Sequence, residues 1–253
     1  MIDSHCHLTD PRLYGQLDAV LSRAGAAGVP RMITIGTSPE DSAAAVALCR
    51  GRENLRCTIG VHPNYCHEVE FESLAQLREL EREPSVIALG EMGLDYHHKF
   101  APRTLQRKFF EAQLAMAAET NRPIVIHCRE AVDDTLAILK GFSSVIAVFH
   151  CFTGSSDEAT RILEAGYLLG FTGVVTFKKS DDLREAAKRT PRDRLLVETD
   201  APYLSPEPFR SQKINEPALV VHVANVIAGV WGISVEEVDA LTTQNVGRFF
   251  RWK

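Results

Sequence analysis

Eight short β-branched runs, each alternating with an amphipathic stretch, predict an α/β protein of the TIM, or (β/α)8, barrel class. Two further observations point the same way. The length of 253 residues suits eight strand–helix units. In addition, His7, His62, Glu91, His127, His150 and Asp200 each fall at or just after the C-terminal end of a predicted strand. In a barrel those ends converge on one mouth, where barrel enzymes carry their chemistry. In an open doubly wound sheet, the alternative fold, they would be strung along an edge.

The elements follow in order. The first strand covers 2–7, and its period-2 pattern puts Asp3, His5 and His7 on one face. Two imidazoles at one strand end can share a metal ion, with Asp3 as an acceptor for an imidazole N–H. An amphipathic stretch at 14–26 leads to a strand at 32–36. Ser38-Pro39 opens a helix at 39–50, with proline at its first position. A strand at 56–61 ends in His62-Pro63, and a helix at 71–81 precedes the strand at 86–90. Glu91 follows directly. A long helix at 103–120, a strand at 124–127 and a helix at 131–140 come next, with Arg129 near the start of that helix. Strands at 145–150, 167–171 and 195–198 enclose helices at 157–164 and 181–188. Two helices, 217–230 and 235–250, close the chain, the second opened by a capping box from Ser234 to Glu237. No linker, low-complexity tract or charge run interrupts the chain, so residues 1–253 are read as a single domain.

Composition excludes several classes. The chain is 45% hydrophobic and 24% charged, an ordinary globular balance. It contains no apolar run of about 18 residues, so no membrane-spanning helix is expected. No basic segment followed by an apolar one opens the chain, which implies no secretory signal and a cytoplasmic location. Six scattered cysteines do not suggest a disulfide framework. Cys6, Cys128 and Cys151 each follow a histidine, and in a strand they face away from it, toward core packing. A net charge of −5 argues against broad binding of duplex nucleic acid and leaves room for a local basic cleft.

Six residues of ligand type lie on five strand ends: His5 and His7, Glu91, His127, His150 and Asp200. Four imidazoles and two carboxylates exceed what one tetrahedral zinc takes. They fit two metals bridged by a carboxylate, with Glu91 as the natural bridge, or one tight and one looser site. A divalent ion acidifies a bound water, and Asp200 can both ligate and take up the proton. Imidazoles suit zinc or manganese, while carboxylates also admit magnesium, so one or two divalent ions (Zn, Mn or Mg) are expected per chain.

The segments Ile2-Asp3-Ser4-His5-Cys6-His7, Gly60-Val61-His62-Pro63, Gly90-Glu91-Met92-Gly93-Leu94-Asp95-Tyr96, Ile126-His127-Cys128-Arg129, Phe149-His150-Cys151-Phe152-Thr153-Gly154 and Glu198-Thr199-Asp200-Ala201-Pro202-Tyr203-Leu204 resemble the signature blocks of TatD-family metal-dependent deoxyribonucleases. They occur in the family's order across almost the whole chain. The resemblance implies a barrel of the metal-dependent hydrolase superfamily, a divalent-metal site formed by the six residues above, and 3′→5′ exonuclease activity on DNA. Superfamily relatives often bridge their metals with a carbamylated lysine. Here that position offers Glu91, with no lysine before Lys99. The chain departs from the family pattern at Arg210-Ser211-Gln212-Lys213-Ile214-Asn215-Glu216-Pro217, where Ser211 stands for glycine and one residue is inserted before Asn-Glu-Pro. That departure bears on substrate preference, not on the metal site.

Around this centre, Arg129 is read as a phosphate ligand, because a cation at a helix start calls for an anion; the alternative is an ion pair with Glu130 or Asp133. Lys178, in Thr176-Phe177-Lys178, meets phosphate or solvent. His62 binds substrate or caps a loop. Tyr96 stacks on a base or packs its loop. His67, His97, His98 and His222 have no evident partners and are assigned to surface or packing roles. The expected substrate is single-stranded DNA or a 3′ end, with Arg129, Lys178, Arg210 and Lys213 as the basic rim. Hydrolysis of a lactone, amide or aminoacyl ester on the same scaffold is the alternative chemistry, and a non-catalytic scaffold is disfavoured because every ligand is present.

Overall fold

The computed structural model describes residues 1–252. In chain order the elements are β1 (Ile2–Cys6), α1 (Pro11–Tyr14), α2 (Leu17–Ala26), β2 (Arg31–Ile35), α3 (Pro39–Cys49), β3 (Leu55–Ile59), α4 (Leu74–Leu80), β4 (Val86–Asp95), α5 (Arg103–Thr120), β5 (Ile124–Arg129), α6 (Val132–Leu139), β6 (Ala147–Phe149), α7 (Ser156–Glu164), β7 (Leu168–Phe171), α8 (Asp181–Arg189), β8 (Leu195–Val197), α9 (Val220–Trp231) and α10 (Val235–Phe249). The strands form one sheet in sequence order, β1 to β8, and a parallel bridge joins Cys6 to Ala201 beyond β8. This is the (β/α)8 barrel topology that the sequence predicts. The chain forms two compact units. One is residues 1–34 together with the chain from Cys151 onward; the other is Ile35–His150.

In the unit Ile35–His150, β3 to β6 pair in parallel. All ten residues of β4 are buried, as a parallel strand covered on both faces requires. The sequence reading ends this strand at residue 90, yet it continues through Asp95. Gly90 and Gly93 make that possible. Their φ values are +121° and +144°. A Cβ on Gly90 would strike the Val125 carbonyl oxygen, and one on Gly93 that of His127. The backbone of β4 thus approaches β5 more closely than any side chain permits, and the pairing shifts register between Leu89 and Met92. From α5, two buried glutamines seven residues apart clamp the strand ends. Gln113 accepts from the Val61 N–H at 2.8 Å and donates to the Val61 carbonyl, while Gln106 accepts from the Asp95 N–H at 2.8 Å and donates to the Asp95 carbonyl. The same helix contributes the buried Phe109 and Phe110 to the core.

In the other unit, β1 pairs with β2, and β7 with β8. Ile2, Leu8, Leu13, Ile33, Phe171 and Val197 are among its core residues. The single helix expected at 14–26 is two. Asp10 caps α1 through the Arg12 N–H, Pro11 starts it, and the chain breaks at Gly15-Gln16 before α2. The capping box at Ser234 is present as the sequence predicts, and Ser155 forms a second one on α7. Among the described residues no single helix is long and apolar enough to cross a membrane.

Candidate metal centre

In the unit containing both ends of the chain, His5, His7 and Asp200 place one donor atom each within 4.8 Å of one another. The Nε2 of His7 lies 3.2 Å from Asp200 Oδ1, and that of His5 lies 3.6 Å from the same oxygen. His5 is fully buried at the end of β1. Asp200 follows β8 in a left-handed backbone, φ +57°. Two backbone bonds hold the segments together: the Asp200 N–H donates to the His5 carbonyl at 2.9 Å, and the His7 N–H to the Ala201 carbonyl at 2.7 Å. Buried Asn215 donates to the carbonyls of Thr199 and Tyr203, so the departing 210–217 loop remains anchored beneath Asp200.

In the unit Ile35–His150 the donors gather on a single oxygen. Glu91 Oε1 lies 2.7 Å from His150 Nε2, 2.9 Å from His127 Nδ1 and 3.2 Å from His62 Nε2. His62, Glu91 and His127 form the second group compact enough to hold an ion. The Nδ1 of His62 accepts from the Asn64 N–H at 3.0 Å, so this side chain caps its loop with one nitrogen and faces Glu91 with the other. Asp95 accepts on the far side of His127, 3.0 Å from Nε2. A carboxylate there fixes which imidazole nitrogen is presented to Glu91.

The electrostatics fit this arrangement. Burial alone would raise the Glu91 carboxyl; the imidazoles of His150, His62 and His127 reverse this and hold it well below the ordinary carboxylate value. Burial pushes His62 down to about 4 against the pull of Glu91. Burial also lowers His127, but hydrogen bonds to Asp95 and Glu91 outweigh it, so its net shift is upward. Both donor groups are made of imidazole nitrogen and carboxylate oxygen, which suits a divalent ion of the zinc, manganese or magnesium type. No cysteine joins a ligand group among the described residues. Cys6 is buried against the Ile33 carbonyl, while Cys128 and Cys151, half-buried, lie 3.5 Å from the hydroxyls of Thr135 and Thr172.

Several sequence expectations change. Asp3 does not serve an imidazole N–H. It accepts from the backbone N–H groups of His5 and Thr199 and from the Thr199 hydroxyl at 2.5 Å, bracing the ligand strand from below. Burial pushes its carboxyl up to about 8, against those bonds. Arg129 does not start a helix: it ends β5, exposed, and α6 begins at Val132, which removes the dipole argument for a phosphate there. The hydroxyl of Tyr96 lies 2.6 Å from Asp134, and its ring carries the Arg103 guanidinium at 3.8 Å, so it packs its loop. Lys178 is exposed beside Phe177, over which Arg210 stacks at 3.5 Å. His97 and His98 do have partners, Glu130 and Asp95, each at 2.8 Å. Two residues were missed. Asp95 lies on the continuation of β4, and the spacing Glu91, Gly93, Asp95 is a period-2 signal for it. Buried Glu198, two residues before Asp200, accepts from the Cys151 N–H at 2.6 Å and from the Ser4 hydroxyl at 3.3 Å.

Comparison with known proteins agrees with this geometry. Residues 2–251 match the family described as TatD related DNase. The chain is 39% identical over 253 residues to the metal-dependent hydrolase YabD of Bacillus subtilis, covering 99% of both chains. It is 38% identical over 258 residues to the 3′-5′ ssDNA/RNA exonuclease TatD of Erwinia amylovora, again covering 99% of both. The crystal structure of the TatD homologue YJJV from Escherichia coli superposes with a TM-score of 0.94 at 30% identity, covering 99% of this chain and 98% of that one. A match over nearly the full length, at these identities, means that the chain belongs to the TatD-related DNase family.

Proposed function

We propose that this hydrolase cleaves phosphodiester bonds and shortens single-stranded DNA stepwise from its 3′ end. The observation that carries the reading is the pair of donor groups, His5–His7–Asp200 and His62–Glu91–His127, each compact enough for one divalent ion. The reading assigns His150 to the second group through its 2.7 Å approach to Glu91. When bound, divalent ions supply Lewis acidity toward water and toward a phosphate oxygen.

The chain's own residues do the rest. Asp200 Oδ1, beside His7 Nε2, accepts the proton from the attacking water. Glu91 stays ionised among its imidazoles, and Asp95 holds His127 in orientation. The reading takes Lys178, Arg210 and Lys213, and separately Arg129, as phosphate contacts, on a chain whose net charge of −5 disfavours a broad duplex-binding face. The Erwinia relative's name supports the 3′→5′ polarity. A cytoplasmic location belongs to the same reading.

The test is a 3′-end assay on labelled oligonucleotides. Stepwise shortening is expected, abolished by chelator and weakened by salt as phosphate contacts release counterions. Internal cuts in a closed circular strand as fast as end trimming would remove the exonuclease reading.

A further inference from the structure

The loop between β4 and α5 lies outside both donor groups and carries the most exposed large apolar side chain among the described residues, Phe100, 60% exposed. Exposure of this kind usually accompanies a loose loop. This loop is tied down. Gln106 binds both the N–H and the carbonyl of Asp95 and also donates to the Ala101 carbonyl at 3.0 Å. Asp95 Oδ1 accepts from the backbone N–H groups of His97 and His98. Phe100 is therefore held out to solvent by a built scaffold. Its ring stacks on His98, with planes 14° apart and centroids 5.5 Å apart, so the two form one flat aromatic surface.

The surroundings carry two cations and one carboxylate, Asp95, whose oxygens are taken up by the N–H groups of His97 and His98 and by the rings of His98 and His127. Lys99 and Arg103 line the same cleft of about 430 Å³ as His98 and Phe100. Helix α5, 18 residues long, begins there with no side-chain cap and no acid in its first turn; Arg103 occupies that turn. Helix N-termini attract anions, and a cation beside one deepens the preference. A flat aromatic surface next to a phosphate-attracting helix start matches the two halves of a nucleotide. The cleft also adjoins the ligands: one oxygen, Asp95 Oδ2, lies 2.8 Å from His98 Nδ1 and 3.0 Å from His127 Nε2.

We propose that this loop is a nucleobase-stacking subsite. A base of a single-stranded substrate extends the His98–Phe100 stack, and Lys99, Arg103 and the start of α5 take its phosphate. The base belongs to a nucleotide neighbouring the cleaved bond. The inference rests on the exonuclease reading above for its substrate, but its test does not depend on cleavage.

The experiment measures fluorescence anisotropy of a labelled oligodeoxynucleotide with the full chain in chelator, where no cutting occurs. Phe100→Ala should weaken binding by about 5- to 100-fold, the share of one base–aromatic stack, while Phe100→Trp keeps it. Thermal melts confirm that both variants are folded. Abasic residues are then placed at each of the four 3′-terminal positions in turn. At one position the abasic strand should bind wild type as weakly as the intact strand binds Phe100→Ala, with no further loss when the two are combined. Wild-type affinity in Phe100→Ala, losses that multiply at every abasic position, or a wild-type protein that binds no strand would each overturn the subsite. Strands bound through Phe100 but never shortened would instead overturn the exonuclease reading and leave the subsite standing.

Discussion

Asp200 combines two properties seldom found together. Its backbone is left-handed, at φ +57°, and its carboxylate lies among imidazoles 3.2 and 3.6 Å away. Asparagine tolerates the same backbone and keeps one oxygen but is no base at neutral pH. Asp200→Asn is therefore expected to keep the fold while turnover falls about 10²–10⁴-fold, the usual share of general acid–base catalysis. Single-turnover rates beside thermal melts check this; a variant that melts early yet cleaves normally would take Asp200 out of the chemistry. At this scale the sequence was informative wherever a ligand-type residue closed a strand. The predicted strand ends single out His5, His7 and Asp200, which the structure gathers into one compact group, and His62 and His127, which it gathers with Glu91 into another. Asp95 and His98 were not singled out, because their roles depend on how far β4 runs, and Glu198 was hidden behind the neighbouring Asp200.

Among the elements, β4 shows most clearly what sequence reading loses. Gly90 and Gly93 look like the end of a strand, yet they let it continue, because β5 approaches too closely for any Cβ. The helical punctuation was more legible: Ser38-Pro39 and the Ser234 capping box appear as read, since a cap is a local device written in adjacent residues. The break at Gly15-Gln16 was missed, although Asp10-Pro11 carries the same kind of start signal. Gly93→Ala tests the reading of β4. Positive φ and collision with the His127 carbonyl should together lower stability by at least ~2 kcal/mol, measured as a shift in the denaturant midpoint. A midpoint within ~0.5 kcal/mol of wild type would show that the strands can separate at low cost.

At the scale of the whole molecule, we propose that residues 1–253 unfold as one domain, although the contacts gather into two compact units. We expect one calorimetric transition, raised by added zinc or manganese through binding to the folded state. Replacing His5 and His7 together by alanine should remove part of that rise and lower the metal count per chain. Two separated transitions would show that the units unfold independently, and an unchanged count would show that the N-terminal pair holds no ion.

The bonds between the end of β1 and residues 199–201 bear on how the protein is made. His7 emerges from the ribosome 193 residues ahead of the carboxylate it meets. At about 5–20 residues per second, the interval is roughly 10–40 s. Throughout that time the nascent chain displays a bare histidine pair, able to grip an ion only weakly, with its third donor not yet translated. If this set holds an ion as proposed, tight loading waits until residue 200 has been added, and a ribosome stalled before codon 200 holds a chain with two of the three donors.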